Sequence, residues 1–189
     1  MSTASSNNDR ERFNQWSETY ERSFMQWLFF DRVHRGVLKH LPADFVPSSI
    51  LDIGCGTGRL LRKMHAQWPA ATLVGVDPSE GMITRAHLLT PGAVFYQASA
   101  EQLALENTSI DLISSTMSFH HWCNQAQGLC EITRVLCHGG IFILVDVNIG
   151  HGHPLTRSQV RALFLASGLS IHSQASPIPL LAFTVGKKI

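Results

Sequence analysis

The chain has 189 residues, 44% hydrophobic and 15% charged. That length holds one core of ordinary size, and that composition excludes intrinsic disorder for most of the chain. With 15 Lys+Arg against 14 Asp+Glu the net charge is +1, so no strong overall field draws the protein onto nucleic acid or an anionic membrane.

Residues 1–8 are small and polar and read as a disordered tail, without the apolar stretch of a signal peptide. Residues 9–46 are expected to form an N-terminal helical lid. From about Glu11 to His40, Phe13, Trp16 and Tyr20 and then Phe24, Trp27 and Leu28 recur at helical spacing. Phe24, Trp27, Phe29 and Phe30 read as a stripe that packs a helix onto the core. Arg32, Arg35 and Lys39, interrupted by Asp31, read as a solvated face. Pro42 and Pro47 mark a linker, since proline breaks helices and biases the residue before it to extended backbone. The main domain is expected over 47–189.

Beyond the linker, strands and helices alternate. Strands are expected at Ile50–Ile53, Thr72–Val76, Ala93–Gln97, Ile110–Ser115 and Gly140–Val147. Helices are expected from about Gly58 to Trp68, over Glu80–Leu89 and over Asn124–Leu136, the last ended by Gly139-Gly140. A further helix spans Thr156–Ser167, with Thr156 as N-cap and Gly168 as the stop. Ser170–Ser176 and Leu181–Lys187 close the chain, joined across Pro177 and Pro179. That connection is too short for a parallel crossover, so the pair should be antiparallel. The fold class is therefore α/β: a Rossmann-like, doubly wound sheet of about seven strands, mostly parallel, with an antiparallel last strand.

No apolar run is long enough to span a bilayer. The four cysteines, Cys55, Cys123, Cys130 and Cys137, form no CxxC pair, and a cytoplasmic location is expected. Cys123, Cys130 and Cys137 repeat every seven residues and are expected to share one helix face as packing residues.

The informative stretch is Leu51-Asp52-Ile53-Gly54-Cys55-Gly56-Thr57-Gly58, which follows a strand and opens a helix. Glycines there permit positive φ and leave no Cβ in the way of a ligand. Free N–H groups of the first helical turn favour an anionic group. Asp77, 19 positions after Gly58, ends the next strand, where a carboxylate can accept from both ribose hydroxyls of a nucleoside. Together these features indicate a nucleoside cofactor. A dinucleotide loop reads G-x-G-x-x-G/A. Here the spacing is G-x-G-x-G and Arg59 occupies the third glycine position, which leans away from NAD.

With these motifs the sequence resembles the class I S-adenosylmethionine-dependent methyltransferases, in the group of ubiquinone/menaquinone-biosynthesis and phospholipid methyltransferases. The likeness rests on Leu51–Gly58, Val74–Ser79, Gln97–Leu103, Asp111–Ser115 through His120-His121-Trp122, and Glu131–Leu136 with Gly139-Gly140. Trp16-Ser-Glu-Thr-Tyr20-Glu21 is similar to a segment that closes over the cofactor in the family. The resemblance implies S-adenosylmethionine as cofactor and S-adenosylhomocysteine as product. By the same resemblance Gly54, Gly56 and Gly58, with Cys55 as a small filler, line its methionine and sugar. Asp52 orients the loop and the amino group, Asp77 binds the ribose, and Pro78 or Met82 packs on the adenine. Ser99 and Ala100 sit at the adenine edge, where many relatives have Asp in place of Ser99 and Glu101 is a substitute acceptor. Ser115 and Thr116 offer carbonyls to the ammonium group, and Tyr20 reaches in from the lid.

Methyl transfer from a sulfonium needs alignment, and a base only where the acceptor must lose a proton. His120 and His121, at the expected methyl position, are the candidate catalytic residues. A metal at His151-Gly152-His153 is disfavoured, because zinc sites usually add cysteine or carboxylate ligands at regular spacing. Asp146-Val-Asn148 runs within eight residues to Thr156, leaving no room for a covering insertion. The site is therefore expected to be open, with a small-molecule or lipid-like acceptor and no nucleic acid. Two other readings stay open: a weakly catalytic cofactor-binding protein that acts through a partner, and a nicotinamide-dependent oxidoreductase.

Overall fold

A computed structural model describes residues 11–15, 24–147, 155–178 and 180–189, with the side chains of 24–27 outside the description. Residues 11–15 are helical. The elements that follow are α1 (Phe24–Lys39), β1 (Ser49–Ile53), α2 (Arg59–Gln67), β2 (Thr72–Asp77), α3 (Glu80–Leu89) and β3 (Val94–Gln97). Then come β4 (Ile110–Thr116), a short 3₁₀ turn (Phe119–His121), α4 (Gln125–Val135), β5 (Leu136–Val147), α5 (Arg157–Ala166), β6 (Leu169–Ala175) and β7 (Leu181–Lys188).

The seven strands form one sheet in the order β3-β2-β1-β4-β5-β7-β6. Neighbours pair in parallel from β3 to β5, while β7 runs antiparallel between β5 and β6. This is the doubly wound sheet expected from the alternation of strand and helix. Strand order reverses between β1 and β4, so a crevice opens at their carboxyl ends.

Side chains alternate across the sheet with a period of two, and this divides the core into two layers. Ile50, Leu112, Ile141, Ile143 and Val145 face α1, α2 and α3, meeting Val37, Leu61 and Met64. Leu51, Ile113, Phe142 and Leu144 face α4 and α5, meeting Leu129, Ile132 and Phe164. Strands covered on both faces must be apolar on both, which is why β5 reads as a continuous hydrophobic run.

Two local readings change. The turn expected to end α4 at Gly139-Gly140 lies inside β5. The helix stops at Val135, and Leu136 already pairs with Ile110. The register then slips, so that Leu112 pairs with Ile141. Gly139, at φ +78°, lies in the bulge that absorbs the extra residues. The shared helix face for three cysteines is absent: Cys130 alone lies in α4 and is exposed, Cys123 precedes the helix and is exposed, and Cys137 belongs to β5. Arg32, Arg35 and Lys39 are exposed, as the solvated face expected of them, while Asp31 between them is buried and accepts from Lys63 of α2 and from Arg35.

Asp31–Lys63 and the burial of Val33 and Val37 build α1 into the core on the α2 side. The tail at 1–8, the Trp16–Glu21 segment, the side chains of Phe24 and Trp27, and His151-Gly152-His153 lie outside the described residues. No described helix is long and apolar enough to cross a membrane.

If α1 is core, trimming it should weaken the whole domain. Val37→Ala is expected to cost roughly 2 kcal/mol in urea unfolding. An unchanged midpoint would show that α1 only rests on the surface.

Candidate active site

The glycine loop leaves β1 at Ile53 and enters α2 through Gly58, its N-cap in left-handed backbone. Gly54 and Cys55 donate their N–H groups to the Val76 carbonyl, at 2.8 and 3.0 Å. The loop is thereby stitched to the end of β2. Gly54 has φ +70°, and a Cβ there would lie 2.3 Å from the Ser118 hydroxyl. Gly56 has φ +52° and faces open space, a cradle with nothing within 4 Å of where a Cβ would stand.

Asp77 ends β2 and is buried. Its two carboxylate oxygens accept from the N–H groups of Gly56 and Ser79, each at 2.9 Å. The sequence reading assigned Asp77 to a ribose only. The structure adds that it clamps the glycine loop to the start of α3, with lone pairs left on both oxygens for hydroxyl donors. Burial pushes Asp77 up to about 6 against those two hydrogen bonds. Asp52 lies fully inside β1 and accepts from the Ser114 hydroxyl at 2.7 Å. Burial pushes it up to about 7, opposed by Ser114 and reinforced by the charge of Asp77.

Ser118 joins the walls of the crevice. Its hydroxyl donates to the Ile53 carbonyl at 3.3 Å, accepts from the Trp122 indole at 3.0 Å and lies 3.2 Å from the Ser115 hydroxyl. Ser115 and Thr116 are buried at the end of β4, and Met117 takes positive φ as the chain turns away. Beyond that turn, His120 donates from Nδ1 to Asp146 Oδ1 at 2.7 Å and from its backbone N–H to Asp146 Oδ2 at 3.0 Å. Val147 N–H also donates to Asp146 Oδ1, at 2.7 Å. Asp146 is buried near the end of β5. The rings of His120 and His121 lie 4.0 Å apart.

The remaining expected residues fall as follows. Cys55 is buried, its thiol pushed up chiefly by burial and then by Asp77 and Asp52, so it is a filler and no nucleophile. Its Sγ packs against Gly75. Met82 and Ala100 are buried beside the crevice, while Pro78 and Ser99 are exposed at its edge. Glu101 accepts from the Asn124 N–H at 3.0 Å, so that oxygen serves the start of α4. Tyr20 lies outside the described residues.

Sequence reasoning missed Asn14, Ser118, His34 and Asp146. Asn14 Oδ1 accepts from Ser79 Oγ at 2.6 Å and Gly81 N at 3.1 Å, while Phe13 sets its ring edge-on to His121. Residues 11–15 therefore touch both the β2 and the β4 side of the crevice. Only Asp146 carried a signal, as a carboxylate near the carboxyl end of an otherwise apolar strand. Among the described residues no group of His, Cys, Asp and Glu is arranged to hold a metal.

Loop, buried carboxylate and switch point define an open α/β protein that takes a nucleoside-bearing cofactor. Residues 51–144 match the family described as "Methyltransferase domain". A ubiquinone/menaquinone biosynthesis C-methyltransferase of Campylobacter jejuni is 29% identical over 148 residues, covering 72% of this chain and 62% of that protein. A malonyl-(acyl-carrier protein) O-methyltransferase of Dechloromonas aromatica is 34% identical over 112 residues, covering 59% of this chain and 41% of its own. The chain thus spans less than two thirds of the length of these curated relatives. The solved structure of an S-adenosylmethionine-dependent methyltransferase from Mesorhizobium loti shares the fold, with a TM-score of 0.73 at 20% identity over 82% of this chain and 96% of that one. The chain belongs to the class I S-adenosylmethionine-dependent methyltransferases. The cofactor of that family is S-adenosylmethionine, and the nicotinamide reading is set aside. The residues present suit that cofactor: an open glycine cradle, a buried carboxylate beside it, and the buried His34 ring along the same cleft.

Asp52 and Asp77 hold their protons more tightly in the folded protein than in the unfolded chain. Their stabilising contribution is complete below the unfolded value of 3.8 and is lost as pH rises through about 6 and 7. Asp52→Asn, a neutral isostere, should therefore stabilise the ligand-free protein at pH 8 by roughly 1–3 kcal/mol and leave it little changed at pH 4. Melting curves at the two pH values test this, and an equal effect at both would refute the assignment.

Proposed function

We propose that this protein transfers a methyl group from S-adenosylmethionine to a small-molecule or lipid-like acceptor, with His120 as general base. The observation that carries the catalytic reading is the His120–Asp146 pair at the exit of β4. Bound S-adenosylmethionine supplies an electrophilic methyl group on a sulfonium sulfur.

The chain's own residues supply position and proton handling. Gly54, Gly56 and Gly58 bring backbone close to the cofactor, and Asp77 accepts from the ribose hydroxyls. Met82 and Pro78, with Ser99 and Ala100, border the adenine. The carbonyls of Ser115 and Thr116 receive the ammonium group. Asp146 holds His120 in the tautomer protonated at Nδ1, which makes Nε2 the basic nitrogen. His120 then takes the acceptor's proton as the nucleophile attacks in line, and Asp146 steadies the imidazolium that forms. The acceptor under this reading carries an ionisable proton. The two curated relatives are named for quinone biosynthesis and for a malonyl carrier protein, which favours a small or carrier-borne acceptor. Residues 11–15 close the cofactor side of the cleft, in the lid role expected of 9–46, and 47–189 carry the cofactor.

At a hundred times its dissociation constant, S-adenosylhomocysteine should raise the melting temperature by roughly 5–10 °C, and NAD should not. Asp77→Ala should abolish that shift. His120→Ala should lower kcat by about 10²–10⁴ with cofactor affinity unchanged, measured as label transfer from methyl-labelled S-adenosylmethionine to reduced quinones, which must lose a proton on methylation. Asp146→Asn should lower kcat and displace the pH–rate profile. Full turnover by His120→Ala would remove the base, and adenosyl binding without turnover would favour a protein that acts through a partner.

A further inference from the structure

A near-neutral net charge conceals an uneven distribution. α1 and α2 together carry six cations, Arg32, Arg35, Lys39, Arg59, Arg62 and Lys63, against Asp31 alone. The rest of the chain has nine Lys and Arg against thirteen Asp and Glu. The net charge of +1 is therefore a basic pole on an acidic body. Asp31 is buried and engaged by Lys63 and Arg35, so it does not offset Arg32 and Lys39 on the outer face of α1.

That outer face has a pattern of its own. Leu28, Arg32, Arg35 and Lys39 follow one another at spacings of four, three and four, and so form one stripe along about 16 Å of helix. All four are exposed, while Val33 and Val37 on the opposite face are buried. Leu28 is 40% exposed and its neighbour Phe29 39%. Two large apolar side chains left side by side in water, with cations along the same ridge, suit a helix that lies in a lipid headgroup layer. The apolar groups reach the acyl boundary and the cations meet phosphates. The apolar end of the stripe is the end at the cleft: the Phe29 ring meets the Phe30 ring edge-on at 5.4 Å, and Phe30 lines the cleft with Gly54 and Gly56. The outer face of a single helix is a convex ridge. A flat, deformable surface can follow it along its length, whereas a folded protein needs a matching groove.

We infer that the outer stripe of α1 docks this protein on an anionic lipid bilayer, with Leu28 and Phe29 at the acyl boundary and Arg32, Arg35 and Lys39 against the lipid phosphates. Docking in this way holds the Phe30 side of the cleft at the headgroup layer, where a lipid-like acceptor resides. The inference rests on the methyl-transfer reading for what the docked cleft receives. Vesicle binding itself needs no cofactor, so a failure of adenosyl binding or of turnover counts against that reading alone.

The test is flotation of the full chain with vesicles of phosphatidylcholine alone or with about a third phosphatidylglycerol. The protein should bind the anionic vesicles roughly tenfold or more tightly than the neutral ones, and about 0.5 M salt should remove most of that preference. The double variant Arg32→Glu with Lys39→Glu should bring the ratio close to one. Leu28→Ser with Phe29→Ser should weaken binding to anionic vesicles by roughly tenfold and leave its salt dependence in place. Arg157→Glu with Arg161→Glu makes the same change of charge on exposed positions of α5 and should leave binding within about twofold. Melting temperatures close to wild type check that each variant folds. Equal loss in the α5 variant, an unchanged ratio in the α1 variant, or no binding of the wild-type protein to either vesicle would overturn the inference. Capture by a soluble acidic carrier protein, without vesicle binding, would give the face to a protein partner and overturn it likewise.

Discussion

One buried carboxylate ties the parts of the site together. Asp77 accepts the N–H of Gly56 from the loop after β1 and the N–H of Ser79 from the start of α3. A loop with positive φ at Gly54, Gly56 and Gly58 has no regular ladder to hold it. It is held at one end by the Val76 carbonyl, in its middle by Asp77, and on its far side by contact with Ser118. The raised proton affinity of Asp77 is the cost of putting that anchor inside the protein.

The same division recurs along every strand that reaches the crevice. The strands are apolar where helices cover both faces and polar where they end. Asp52 and Asp77 lie at or next to the last residues of β1 and β2, Ser115 and Thr116 end β4, and Asp146 precedes the last residue of β5. Parallel strands bring all those ends to one edge of the sheet, so four separate stretches of chain deliver their polar groups to one place. Buried carboxylates need donors, and the donors differ: backbone N–H groups for Asp77, a hydroxyl for Asp52, an imidazole and two N–H groups for Asp146. The last of these arrangements fixes the orientation of the His120 ring.

The N-terminal region serves two physical ends. Over α1 it is core, with Val33 and Val37 buried and Asp31 joined to Lys63. Over residues 11–15 it touches the crevice through polar and aromatic contacts that water can replace.

Much of this was legible in the residues. Hydrophobic runs of strand length, the prolines and glycines between them and the capping residue Thr156 marked most elements to within a residue or two. The loop Leu51–Gly58 and Asp77 marked the cofactor edge. These are local signals, set by backbone sterics and by the period of side-chain burial. The beginning of β5 escaped them, because a glycine pair in a bulge reads like one at a helix end. So did the fate of Asp31 and of the three cysteines, since heptad spacing does not say where a helix stops. The pairing of His120 with Asp146, 26 residues apart, and of Ser118 with Ile53, 65 apart, exists only once β1, β4 and β5 lie side by side. The sequence by itself determined the class of fold and the kind of ligand. Only the tertiary structure decided which side chains meet around the glycine loop and the strand ends, because hydrogen bonds and charges act over a few ångströms of space whatever the separation along the chain.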